Sequence, residues 1–250
     1  MIPVEICINA DGVQPVAAAV AAAQAGGAST IELCGDMRVD GLTPGLGAIQ
    51  AARAAFAAPG LMIMIRPRGG DFVYRPAEIS RMKGQIAMAA EAGADGVVLG
   101  LLHGQDGGVD DAALAALMAE CRSRSLQVTF HRAFDAAPDP YDALETLISL
   151  GVDRILTSGS PWGSGEGALA GLPTLQRLVE QADGRIEIVI GGGVTPANAK
   201  TIGAALPTGA RIAFHAYSSV LRHAYVSAVA VRMLRCALKT FHKNGQQLVL

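Results

Sequence analysis

Eight short apolar or β-branched runs recur along the chain, at residues 4–8, 29–33, 61–65, 96–99, 127–130, 154–156, 187–190 and 211–214, and their starts lie about 24 to 35 residues apart. That interval is the length of one strand–helix unit. Helical stretches fall between the runs. The first, 13–25, ends at Gly26-Gly27, a helix C-terminal signal. The second, 44–58, has Thr43 as N-cap and Pro44 at its first position. Others follow at 76–92, 110–122, 141–150 and 169–181, a seventh opens at Thr195-Pro196, and 220–238 supplies the last. Three times the chain repeats one punctuation: a helix stops at Gly, a small polar turn follows, and a strand begins. Strict alternation of eight strands with eight helices calls for a closed parallel barrel before an open doubly wound sheet. The expectation is an α/β, single-domain TIM (β/α)8 barrel over residues 1–240, followed by a tail at 241–250.

At 250 residues the chain has the length such a barrel commonly takes. A net charge of −2 with mixed signs leaves no basic footprint for nucleic acid, and 4% aromatic residues leave few stacking platforms for single strands. No apolar stretch approaches the roughly eighteen residues of a membrane helix. The opening Met-Ile-Pro-Val-Glu lacks a signal peptide's basic region and long apolar core. Four widely spaced cysteines without a CxxC argue against a disulfide scaffold and a zinc ribbon. We therefore expect a cytoplasmic protein that engages neither nucleic acid nor membrane.

Function in a barrel gathers where strands end, and the polar residues of this chain gather there too. The first strand carries Glu5 and Cys7, the second Glu32 and Cys34. The third ends in Arg66, Arg68 and Asp71, and the fifth in His131, Arg132 and Asp135. Thr157 and Ser158 end the sixth, Gly191, Gly192 and Gly193 the seventh, and His215 with Ser218 and Ser219 the eighth. Side chains alternate along a strand, so Glu5 shares a face with Cys7 and Glu32 with Cys34. If the first two strands are neighbours in suitable register, two thiols and two carboxylates converge. Facing thiolates suit a soft ion such as Cu(I), against the ordinary behaviour of free cysteine as a small buried hydrophobe.

The remaining residues support a different chemistry. Arg66, Arg68 and Arg132 could clamp an anion, with Asp71 beside them. His131, Glu32, Asp135 and Glu5 could move protons. Gly192 and Gly193, opening the seventh helix, look like a backbone anion cradle next to Ser158, His215 and Ser218. The four lysines, Lys83, Lys200, Lys239 and Lys243, end no strand, so Schiff-base chemistry is not expected.

Several blocks resemble the CutC copper homeostasis proteins: Glu5-Ile-Cys7, Ile31-Glu-Leu-Cys34, Gly41-Leu-Thr-Pro-Gly-Leu-Gly47, Ile65-Arg-Pro-Arg-Gly-Gly-Asp-Phe72, Val128-Thr-Phe-His-Arg-Ala-Phe-Asp135, Leu156-Thr-Ser-Gly159, Gly191-Gly-Gly-Val194 and Phe214-His215. They stand in that family's order over about residues 4 to 220. The resemblance implies a cytoplasmic TIM barrel that forms homo-oligomers, dimers or tetramers, and takes part in copper handling. It also implies that Cys7 and Cys34 are the Cu(I)-binding cysteines. The chain departs from the family in passing almost directly from His215 into its last helix, and in the loop at 160–167 with Trp162. Two readings stand: a Cu(I)-binding copper homeostasis protein, and a barrel lyase or isomerase for a small phosphorylated or carboxylated metabolite.

Overall fold

Strands form where apolar and β-branched side chains can be buried on both faces, and they follow the eight runs closely. The computed structural model describes residues 2–243, with side chains through Leu238. The chain runs β1 (Val4–Asn9), α1 (Val16–Gly26), β2 (Thr30–Cys34), α2 (Leu46–Ala55), β3 (Leu61–Met64), α3 (Pro76–Glu91), β4 (Gly96–Leu99) and α4 (Asp111–Ser123). It continues β5 (Gln127–Phe130), α5 (Pro140–Ser149), β6 (Arg154–Thr157), α6 (Leu172–Ala182), β7 (Glu187–Ile190), α7 (Pro196–Ala204) and β8 (Ile212–Ala216). A two-stranded hairpin, β9 (Leu221–Arg222) and β10 (Tyr225–Val226), precedes α8 (Ala228–Lys243). The first eight strands pair in chain order and close, with β8 returning to lie parallel to β1.

Alternation along the strands separates two kinds of interior. Ile6, Ile31, Leu33, Ile63, Val97 and Phe130 belong to one continuous apolar cluster that includes the helix residues Val20, Ile49, Ile86 and Leu117. The residues between them face the barrel axis and form two separate groups: Cys7, Cys34, Met62, Met64 and Val98, and Leu156, Val189 and Ala213. A buried ionic network lies along the same axis. Arg154 Nη1 donates to Glu5 Oε2 at 2.7 Å and to Thr129 Oγ1 at 3.3 Å, and Arg154 Nε donates to Glu187 Oε2 at 2.6 Å. Thr30 Oγ1 adds a hydrogen bond to Glu5 Oε2 at 3.1 Å. Burial pushes the Glu5 carboxyl up, but Arg154 and then His215 outweigh it and hold the group at about 2.

This network sets charged groups within the barrel interior, away from the strand ends where the sequence gathers its polar residues. Glu5 lies fully buried inside the barrel, because Arg154 at the start of β6 points inward to meet it. Two helix boundaries also differ from expectation. Thr43 does not cap α2. Its side chain accepts from the Arg66 backbone N–H at 2.8 Å, tying the chain ahead of α2 to the end of β3, and α2 starts at Leu46 after Gly45. The last helix begins at Ala228, since residues 221–226 form the hairpin instead. Its central residues His223 and Ala224 both have positive φ, 52° and 67°, as a tight hairpin turn of this hand requires. That conformation favours Asn and Gly, so His-Ala gave no turn signal. Part of the expected tail, 241–243, continues α8, and residues 244–250 lie outside the described residues. Among the described residues no helix is long and apolar enough to cross a membrane.

Removing one partner of a buried ion pair leaves the other charge uncompensated, which typically costs about 3–5 kcal/mol. Arg154→Met should therefore destabilise the barrel by roughly that amount in urea unfolding at neutral pH. Adding Glu5→Gln to it should recover part of the loss. A loss below about 1 kcal/mol would show that the network does not hold the barrel together.

Candidate functional site

The register of β1 on β2 sets Cys7 opposite Glu32 and Asn9 opposite Cys34, so the two cysteines occupy successive inward positions on adjacent strands. Their sulfurs lie 3.9 Å apart, and both residues are 1% exposed. Cys34 Sγ donates to Glu32 Oε1 at 3.0 Å. On the other side β8 places His215 opposite Glu5; its Nδ1 lies 3.0 Å from Glu5 Oε1 and 3.4 Å from Glu32 Oε2. Burial pulls the His215 pKa down, but Glu32, Cys7 and Glu5 together carry it well above its ordinary value. The hydrogen bond between the two sulfurs lowers the Cys7 thiol and His215 adds to that effect. Cys34 moves the opposite way, raised first by its bond to Cys7 and then by burial. Burial, reinforced by the Glu5 charge, raises Glu32. His215 thus stands as the cationic neighbour of the thiol pair and the two carboxylates. Two groups of ligand-type atoms lie within mutual reach of 4.8 Å: Cys7, Glu32 and Cys34, and Glu5, Glu32 and His215.

These sulfurs line a cavity of about 160 Å³ at the C-terminal mouth of the barrel, whose other walls include Arg66, Phe72, His131, Arg132, Leu156 and Trp162. His131, just past β5, is 4% exposed, and its Nδ1 accepts the Ala133 N–H at 3.1 Å. Burial, then the Arg66 charge, pushes its pKa down to about 3. The imidazole is therefore neutral across the physiological range and meets a ligand as a hydrogen-bond donor. The loop after β6 folds over the mouth. The Trp162 N–H donates to the Asp135 carbonyl at 2.8 Å, and its ring packs edge-on against Phe72 at 5.3 Å and under Arg132 at 5.2 Å.

The structure brings only part of the expected anion site together. Arg66 and Arg132 reach the cavity, whereas Arg68 turns away to Glu78 at 2.6 Å and Asp71 at 2.8 Å. Arg132 Nε donates to Asp135 at 2.6 Å and its Nη2 to Ser158 Oγ at 2.9 Å. The Asp135 carboxylate also accepts from the Thr157 hydroxyl and from the Ser158 N–H and hydroxyl, so four donors occupy it. Gly192 and Gly193 do not line the cavity. Gly192, with φ of 85°, accepts from Ala168 N–H at 2.8 Å, and a Cβ there would stand 2.7 Å from the Ser158 Cβ. Ser218 sits exposed in a short helical turn. Phe72 and Met37 join the cavity without having been singled out as site residues, and Trp162, marked in the sequence only as part of a departing loop, joins them. The lone tryptophan in a Gly-rich loop was the available signal.

The folded protein keeps His131 neutral while the unfolded chain takes a proton below about 6.5. Its contribution to stability is present above that value and lost as pH falls toward about 3. The slope reaches roughly 1.4 kcal/mol per pH unit. His131→Asn keeps an acceptor for the Ala133 N–H and removes the titration. Unfolding measured from pH 6.5 down to 5 should show wild type losing stability more steeply than the variant, and equal slopes would contradict a neutral buried imidazole.

Similarity to known proteins places the chain among relatives. The CutC family profile matches residues 2–217. A Homo sapiens protein called copper homeostasis protein cutC homolog is 46% identical over 198 residues, covering 79% of this chain and 67% of its own length. A family protein CutC from Bacteroides fragilis is 47% identical over 177 residues, 71% of this chain and 68% of its own. The crystal structure of CutC from Streptococcus agalactiae superposes with a TM-score of 0.75 at 35% identity, covering 86% of this chain and 98% of that one. With the barrel, the paired cysteine strands and this similarity over most of its length, the chain belongs to the CutC family.

Proposed function

We propose that this chain serves copper homeostasis by binding Cu(I) through Cys7 and Cys34 at the barrel mouth. The observation that carries the reading is the sulfur pair, two buried thiols 3.9 Å apart on neighbouring strands. Thiolates are preferred ligands of Cu(I), and a ligating thiol must shed its proton. Glu32, hydrogen-bonded to Cys34, is placed to receive one. The thioethers of Met62 and Met64 belong to the same cluster, with Met37 packed against it, so the surroundings of the pair are soft and largely apolar. The relatives' name points the same way: the human relative is called a copper homeostasis protein. The buried Cys7, Cys34 and Cys121 are thiols and form no disulfide, which suits a reducing compartment such as the cytoplasm.

The test is an anaerobic Cu(I) titration against a competing chelator. Wild type should bind one equivalent. The Cys7→Ser/Cys34→Ser protein should lose more affinity than the roughly 10–100-fold that removal of a supporting partner costs. Cys121→Ser, on α4 and remote from the mouth, should titrate like wild type. Unchanged binding in the double variant would remove copper from these two sulfurs.

A further inference from the structure

Two buried donor atoms on residues lining the same cavity as the sulfurs have no acceptor, Arg66 Nε and His131 Nε2. Arg66 is 2% exposed, yet its guanidinium pairs with no carboxylate among the described residues. Nη1 donates to the Val39 and Gly41 carbonyls at 2.5 and 3.2 Å and Nη2 to the Gly70 carbonyl at 2.9 Å, while Nε is buried without an acceptor. The Phe72 ring lies 5.2 Å from this cation. The His131 ring centroid lies 5.1 Å from that of the same Phe72 ring. Because its Nδ1 accepts the Ala133 N–H, the proton of the neutral ring resides on Nε2, and Nε2 is likewise buried without a partner. Both residues line the mouth.

A buried donor without an acceptor costs about 1–3 kcal/mol, and more when charged, and native proteins rarely leave such groups unmatched. Three backbone carbonyls fix the Arg66 fork but do not cancel its charge. The complement is a ligand that brings one negative charge and at least one acceptor oxygen. Among the lining cations Arg132 is paired with Asp135 and His215 lies against Glu5 and Glu32, which leaves Arg66 without a carboxylate partner while Asp40 also lines the cavity; one negative charge on the ligand fits that balance better than two. Phe72 and Trp162 give the ligand's body an apolar wall. A cavity of about 160 Å³ is close to the size that takes a benzene-sized molecule.

We propose that the mouth binds a small organic carboxylate beside the thiol pair, its oxygens held by Arg66 Nε–H and His131 Nε2–H and its apolar part against Phe72 and Trp162. This assignment goes beyond the copper reading and does not depend on it. Neither donor is a soft ligand, and neither belongs to the sulfur cluster.

The experiment is isothermal titration of chelator-treated, copper-free protein with benzoate, and with inorganic phosphate for comparison. Saturable one-to-one binding of benzoate, tighter than phosphate, is expected. His131→Asn should weaken it roughly ten- to hundredfold, the effect of losing one hydrogen bond to a charged group, while its Cu(I) titration stays that of wild type. That last comparison separates failure of the carboxylate site from failure of the copper site. A second readout needs no variant: the Nε2–H resonance of His131 in wild type should move on adding benzoate. Absence of saturation, equal affinity in the variant, tighter binding of phosphate, or an unmoved His131 resonance would each overturn the proposal.

Discussion

The barrel depends on one buried contact that its outward apolar pattern does not reveal. Arg154 reaches from β6 across the interior to Glu5 on β1, and Glu187 on β7 takes its second nitrogen. Strands far apart in sequence are thereby connected through the axis as well as around the rim. The contact also orients what lies above it. With one Glu5 oxygen engaged by Arg154 and Thr30, the other is directed to His215, and His215 in turn stands between Glu5, Glu32 and Cys7. The position of His215 beside the thiol pair is thus set from beneath by an ion pair whose residues do not line the cavity. Buried ion pairs seldom add net stability over well-packed apolar residues, and in this fold the pair's clearer service is to fix direction.

The mouth above is divided. Its β1–β3 side is sulfur and thioether in a low-polarity cluster. The rest of its lining is largely aromatic and cationic, with the Phe72 ring 5.2 Å from the Arg66 guanidinium and 5.1 Å from the His131 ring. The two sides share a cavity but not a chemistry, one suited to soft polarisable ligands and the other to oxygen acceptors. The division explains why the sequence supports two readings at once, a metal binder and a binder of anions. Each reading describes one wall.

Most of the fold was legible because its cause is periodic. Apolar runs at regular intervals, closed by Gly, constrain strands and helices wherever a side chain must be buried, and the Thr195 cap of α7 appears as expected, with its side chain accepting from Asn198 N–H. The convergence of Cys7 and Cys34 was legible for the same reason, since alternation fixes which residues share a face. What escaped the sequence was non-local or conformationally atypical. Nothing near Arg154 announces that its partner is Glu5, about 150 positions away. Thr43 reads as a helix cap by local rule but is claimed by the Arg66 backbone. The His223-Ala224 turn adopts positive φ without the residues that usually signal it. The arginines escaped too, because whether a guanidinium faces a cavity or a neighbouring carboxylate depends on rotamers that spacing does not encode: Arg68 found Glu78, and Arg66 found carbonyls.

The loop carrying Trp162 has one more consequence. The chain contains a single tryptophan, and its indole forms part of the cavity wall, against Phe72 and beneath Arg132. All of the protein's indole fluorescence therefore originates at the mouth. The protein carries its own optical gauge of what enters, with no second indole to dilute the signal and no label to disturb the site.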